Sequence, residues 1–233
     1  MKNINIKLYG LNNTQKDFYY KGNEEQIAKR WDKKAFYWDN QLLAKDSHLN
    51  QYGEYDIFIN ISKDIAKKYQ TLNDSRLLDV GCGTALVSLE LCDYFNSVIG
   101  IDISENMLIE ARKKSNEKIN FYQKSIFALN SEWQGNFDLI VSRGILLSHY
   151  GVDYLDEILS ILFKILKNRG TVILDFLNKE AKNKVSIHLP DNKDYFEGDT
   201  IIYYAKKVGF SNIEIVGNEN DRVLLALLNK DDA

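Results

Sequence analysis

The sequence predicts an α/β fold: a seven-stranded, mostly parallel sheet with helices on both faces, preceded by an N-terminal helical cap. Three observations lead there. From residue 55 onward, short β-branched apolar runs alternate with amphipathic stretches of about ten to fifteen residues, the pattern of βαβ units. The run LLDVGCGTA at 77–85 carries a strand straight into a turn with Gly81 and Gly83 two apart. Residues 1–54 are polar and aromatic and show helical spacing with no strand pattern.

Taken in order, the cap comes first. NEEQIAKRWDKKAFYWDNQLLA places apolar residues at 27, 28, 31, 35, 38 and 42, which is helical spacing. One or two helices packed over the main domain are expected here. The domain at 55–233 then opens with the helix YDIFINISKDIAKKY. RLLDV is the first strand, and TALVSLELCDYF follows as a helix with Thr84 as its expected N-cap. SVIGID is the second strand, and Ser104 caps the helix ENMLIEARKKS. INFYQ and FDLIVS are strands three and four. DYLDEILSILFKILK puts Leu155, Ile158, Leu159, Leu162 and Leu166 on one face of a helix expected over 152–167. GTVILDFL is the fifth strand. An insert at about 178–199 separates it from TIIYYAKKVGF, a helix ending near Gly209. NIEIV and RVLLALL close the chain as antiparallel neighbours.

Composition excludes several classes. A chain of 233 residues fits one domain with a small appendage, and 45% hydrophobic content makes it globular. A net charge of −3 offers no field for nucleic acid or an anionic membrane. Two cysteines, Cys82 and Cys92, have no metal-ligand spacing. They form no disulfide framework, which suits a reducing cytoplasm. MKNINIKLYGLNN lacks the apolar core of a signal peptide, and VLLALL at 223–228 is too short to span a bilayer.

Glycines after the first strand let the backbone turn tightly and let a ligand approach the main chain. The following helix points its N–H groups at the same spot. A dinucleotide or another adenosine ligand would fit. Three features separate them. The nicotinamide fingerprint needs a glycine where Leu86 stands. Asp79, just before the turn, suits an ammonium and repels a pyrophosphate. Asp102 ends the second strand, where a carboxylate can accept both hydroxyls of a ribose.

With LLDVGCGTA, VIGIDISENML, FDLIVSRGILLSHY and ILFKILKNRGTVIL in this order, the chain resembles the class I S-adenosylmethionine-dependent methyltransferases over roughly residues 55–228. Ala85 stands at the usual third glycine, and Asn168-Arg169 replace the usual Pro-Gly. The resemblance implies a Rossmann-like fold and S-adenosyl-L-methionine as cofactor. It implies that Asp79 and Gly81 face the methionine amino group, and that Gly83 lets the cofactor approach the main chain. Cys82 lies between these glycines, and its size fits a tight space. Asp102 would bind the ribose, and Ile103 and Met107 would border the adenine. Ser125 and Ile126 would sit where the family often has an acid beside the adenine amino group. Ser142 and Arg143 would lie beside the methionine part. His149 is the candidate general base, with Tyr150 its neighbour and second candidate; the plainer reading of His149 is packing beneath the cofactor. Met107 could equally be core, and Asp79 and Asp102 could cap turns.

The acceptor is read indirectly, because methyl transfer depends chiefly on alignment. The family's nucleic-acid enzymes carry an Asn/Asp-Pro-Pro-aromatic run after the fourth strand or a Pro-Cys nucleophile; this chain has Ser142-Arg143-Gly144 and no cysteine after a proline. Metal-dependent relatives cluster acids at the ends of strands four and five; here Asp175 and Asn178 are present, but Ser142 is no acid, so no metal is expected. A small-molecule acceptor is expected, polar or anionic ones among the candidates, methylated on oxygen or nitrogen by a monomer or homodimer. The cap and the insert would close over it, with Trp38, His48, Tyr52, His188 and Tyr195 in them and Arg143, Lys179 or Lys184 available to an anion. The alternatives are an NAD-dependent oxidoreductase, disfavoured by Leu86 and Asp79, and a noncatalytic S-adenosylmethionine-binding partner subunit.

Overall fold

A computed structural model of the chain describes residues 23–43, 53–183 and 193–232. His48, Tyr52, Lys184 and His188 lie outside them. Element labels run over the described residues. The sheet has seven strands in the order β3-β2-β1-β4-β5-β7-β6. They are β1 (Arg76–Val80), β2 (Ser97–Asp102), β3 (Ile119–Gln123), β4 (Phe137–Ser142), β5 (Leu166–Leu177), β6 (Asn212–Val216) and β7 (Val223–Asn229). Strands β1 to β5 pair in parallel, and β7 runs antiparallel between β5 and β6. The reading of strand number, order of appearance and final antiparallel pair therefore holds.

Alternation along each strand builds two core layers. Leu78, Val80, Ile140, Val172 and Leu174 face one side, packed with α6 (Leu146–Tyr150), α7 (Leu155–Ile165) and α8 (Gly198–Val208). Leu77, Leu139, Val141 and Ile173 face the other, against α3 (Glu54–Ala66) and α4 (Leu86–Leu91). Successive residues on a strand point to opposite faces, so one buried run feeds both layers. All of β4 and the last eight residues of β5 are buried. The parallel strands end together, which gathers their following loops at one edge.

Three local expectations change. Thr84 does not cap α4: the helix starts at Leu86 behind a left-handed Ala85, and the Thr84 hydroxyl bonds Asp39 instead. The helix expected over 152–167 begins at Leu155 after a single 3₁₀ turn and stops at Ile165, so Leu166 is the first residue of β5. The region after β4, where the sequence predicts no element, contains the short helix α6. Ser104 does cap α5 (Glu105–Lys114), its hydroxyl accepting from Met107 N at 3.2 Å. Gly209 ends α8 in a positive-φ conformation. Among the described residues no helix is long and apolar enough to cross a membrane.

The cap contains α1 (Glu24–Asp32), a 3₁₀ turn and α2 (Trp38–Leu43). Asn23 caps α1, accepting from Gln26 N. Three carboxylates tie this segment to the domain. Glu24 accepts from Tyr150 Oη at 2.8 Å and Ser125 Oγ at 2.5 Å. Asp32 accepts from Ser104 Oγ at 2.6 Å and Asn106 N at 3.1 Å. Asp39 accepts from Thr84 and pairs with Lys114 at 2.5 Å.

Candidate active site

The turn after β1 is left-handed at every second residue: Gly81 at φ 71°, Gly83 at 53° and Ala85 at 69°. Gly81 N and Cys82 N both donate to Ile101 O, at 2.8 and 3.0 Å, which locks the turn to the end of β2. A Cβ on Gly81 would meet nothing within 4 Å, and one on Gly83 would only touch Met107 Sδ and Trp38 Nε1 at 3.9 and 4.0 Å. Backbone conformation therefore demands these glycines, and the space before them stays open to a ligand. Cys82 packs where a Cβ on Gly100 would lie 2.9 Å from its Sγ. Burial and the nearby Asp79 and Asp102 push its thiol up, so it is inert filler.

Two buried carboxylates flank this turn. Asp79 accepts from Ser88 Oγ at 2.7 Å, and burial pushes its carboxyl up to about 7. Asp102 accepts from Gly83 N at 2.9 Å and Ser104 N at 2.8 Å. Burial pushes it up to about 6, with these main-chain donors holding it down. A carboxylate offers about four lone-pair positions, so Asp102 keeps two for a ligand's hydroxyls. An adenosine ligand carrying an ammonium fits this donor and acceptor set.

One cavity is lined by all the expected site residues except Ser125: Asp79, Gly81, Cys82, Gly83, Asp102, Ile103, Met107, Ile126, Ser142, Arg143, His149 and Tyr150. The Ser125 hydroxyl is turned to Glu24 and to Phe127 N at 3.0 Å, and the neighbouring Lys124 lines the cavity instead. Ser142 donates to Val80 O at 2.8 Å, pinning the tip of β4 to that of β1. Arg143 lies over the Tyr55 ring at 5.4 Å. Asp175 accepts from Gly144 N at 2.9 Å and Ile145 N at 2.6 Å, holding the chain that leads into α6. Its role is thus main-chain anchoring, and among the described residues no group of three or more His, Cys, Asp or Glu could hold a metal.

His149 is buried, its Nδ1 hydrogen-bonded to Lys193 Nζ. Burial first, then Lys193 and Arg30, hold its basicity well below the ordinary imidazole value. Tyr150 donates to Glu24, and burial together with that carboxylate pushes its phenol far up. Lys179 is occupied at the surface by Glu197 at 2.9 Å. Sequence reasoning missed Ile27, Trp31, Tyr55 and Lys193. For Ile27, Trp31 and Trp38 the signal was present: their helical spacing was read, but a core-facing stripe and a ligand-facing stripe have the same period.

Comparison with known proteins agrees with this geometry. The methyltransferase domain family model matches residues 72–221. The ubiquinone biosynthesis O-methyltransferase of Pelagibacter ubique is 31% identical over 166 residues, covering 69% of this chain and 65% of that protein. The chain thus spans less than two thirds of the length of such curated relatives. Among solved structures, magnesium protoporphyrin IX methyltransferase from Synechocystis with bound S-adenosylhomocysteine has a TM-score of 0.66 at 17% identity, covering 89% of this chain and 99% of that one. The [4+2]-cyclase SpnF is as alike in fold, with a TM-score of 0.65 at 15% identity, covering 90% and 97%. Fold alone therefore leaves the reaction open, and the family model supplies the family. The chain belongs to the class I S-adenosylmethionine-dependent methyltransferases.

Proposed function

We propose that the protein transfers the methyl group of S-adenosylmethionine to an oxygen or nitrogen of a small-molecule acceptor without a metal ion. The observation that carries this reading is the pair of buried carboxylates at the tips of β1 and β2, flanking an open glycine turn inside one cavity roofed by Ile27, Trp31 and Trp38. Asp79 receives the cofactor's ammonium, and Asp102 its ribose hydroxyls. Ile103, Met107 and Ile126 border the adenine, and Ser142 and Arg143 the methionine part. When bound, the cofactor would be held by Asp79, Asp102, Ser142 and Arg143 and would supply an electrophilic sulfonium methyl to the acceptor's oxygen or nitrogen lone pair. The chain's contribution is to align the acceptor and exclude bulk water.

The O-methyltransferase names of relatives favour oxygen as the acceptor atom. His149 suits a positioning role better than a base role, because Lys193 occupies Nδ1 and burial weakens the ring as a base. Calorimetry with S-adenosylhomocysteine tests the cofactor assignment. Asp102→Asn is expected to weaken binding about 10- to 100-fold by removing charge-assisted hydrogen bonds. NADH should not bind. Unchanged affinity in the variant, or tighter binding of NADH, would overturn the assignment. Incorporation of labelled methyl into a small-molecule fraction of a cell extract tests the reaction.

A further inference from the structure

Basic groups from three separate segments gather beside Trp31 and His149, two residues of the cavity wall. Arg30 and Lys34 come from the cap, His149 from α6, and Lys193 from the chain returning toward α8. Lys193 Nζ bonds His149 Nδ1. The Trp31 ring lies 6.0 Å from the His149 ring, and Lys34 Nζ lies 5.3 Å over Trp31. Trp31 and His149 themselves line the cavity. Among the described residues no carboxylate bonds Arg30, Lys34 or Lys193. The three are half-buried, and gathering like charges out of water is costly. The cavity walls beside them, Ile27, Trp31, Trp38 and Leu146, are apolar.

We infer that this cluster is the subsite for an oxyanion on the methyl acceptor, which carries a carboxylate or phosphate head on an apolar body. The inference rests on the methyltransferase reading and deepens it. The head sits at the Arg30–Lys34–Lys193 rim, the body lies against Trp31 and Trp38, and the nucleophile faces the cavity. The neutral His149 ring orients the Lys193 amine. Charge balance agrees: burial, Arg30 and Lys34 hold Lys193 down at about 7, where an incoming anion restores its proton. Among the described residues, Arg30, Lys34 and His149 are the charged and titratable groups that face it; Asp194 accepts from Val152 N.

The test titrates the S-adenosylhomocysteine complex with benzoate, phenyl phosphate and the neutral isostere benzamide, followed by tryptophan fluorescence. At least one anion should bind ten times or more tighter than benzamide, and the preferred anion reports carboxylate or phosphate. Lys193→Gln and Lys34→Gln should each cut that preference about tenfold, while Lys193→Arg keeps it. Affinity for the anion should fall up to tenfold per pH unit above about 7, with proton uptake on binding measured in two buffers. Cofactor affinity, read separately, should stay within twofold in the Lys193 variants. Equal binding of anions and benzamide, or anion binding indifferent to both substitutions, overturns the inference while the cofactor reading stands. Failure of S-adenosylhomocysteine to bind overturns the cofactor reading, and with it the assignment of the anion as acceptor.

Discussion

Asp79 and Asp102 are both acids whose charged form burial disfavours. Their carboxyls stand at about 7 and about 6, raised chiefly by burial above the ordinary value of about 3.9. A raised carboxyl stabilises the fold below its unfolded value and loses that contribution as pH rises through its folded value. The protein alone should therefore lose thermal stability between about pH 4 and pH 7. A ligand ammonium beside Asp79 favours the carboxylate, so S-adenosylhomocysteine binding should release protons. Affinity should rise about tenfold from pH 5.5 to 7 and fall again above about pH 8, where the ligand's own α-amino group deprotonates. Calorimetry across pH checks this, and a flat profile would remove Asp79 from the ammonium site. His149 makes a second, sharper case. Because its Nδ1 is committed to Lys193, His149→Asn should lower kcat less than about tenfold. A loss of a hundredfold would restore the base role. The two acids and two glycines were legible because each is a residue type the strand tips do not otherwise need. Ser125 was not, since its partner Glu24 stands 101 positions away. Nor was the basicity of His149, which depends on Lys193, 44 positions along.

Elements were read from periodicity, and periodicity succeeded where burial is regular. β4 and β5 are buried on both faces and bounded by turn residues, so continuous apolar runs gave their positions. It failed at junctions, where one local conformation decides the boundary. Thr84 looks like an N-cap, yet the left-handed Ala85 delays the helix by one residue. Leu166 continues the heptad-like face of α7 but is already β-extended at ψ 135°. Just beyond it, Arg169 adopts φ 63° in an exposed irregular stretch near the start of β5, where the family usually has glycine. The left-handed region costs a residue with a Cβ about 1 kcal/mol, and the ion pair of Arg169 with Asp232 at 3.7 Å is solvent-screened and weak. Arg169→Gly should therefore stabilise by about 0.5 kcal/mol after the unfolded-state entropy of glycine is subtracted. In α3, the fully buried Ser62 hydroxyl has no partner among the described residues. Ser62→Ala removes that unsatisfied group and raises helix propensity, for a gain of about 1 kcal/mol. Denaturant midpoints at constant slope measure both; a loss of stability in either variant would show that the local term is outweighed by packing.

At the scale of the molecule, the domain and its cap are joined by polar contacts rather than by a shared core. Residues of the cap contribute Ile27 and Trp38 to the margins of the two core layers, and among its described residues only Ala35 is buried. What holds it are Glu24, Asp32 and Asp39, each accepting from a hydroxyl of the domain. Such contacts join positions 45 to 126 apart, so the sequence could place a helical segment before the sheet but not its latch points. All three hydroxyls neighbour the proposed cofactor site: Tyr150 and Thr84 line the cavity, and Ser104 follows Asp102 by two residues. Trp31 and Trp38 line the same cavity as Asp79, so the segment is expected to move as a ligand enters or leaves. A covering element with few buried contacts opens at lower free energy than the sheet beneath it. We therefore expect amide exchange across 24–43 to slow about tenfold or more on addition of S-adenosylhomocysteine, while β1, β4 and β5 stay unchanged. Asp32→Ala should loosen the latch at Ser104 and Asn106. It should raise both the association and dissociation rates of S-adenosylhomocysteine several-fold and change the dissociation constant less than either rate. Equal exchange with and without ligand, together with unaltered rates in the variant, would mean that the segment is a fixed wall and that the ligand enters elsewhere.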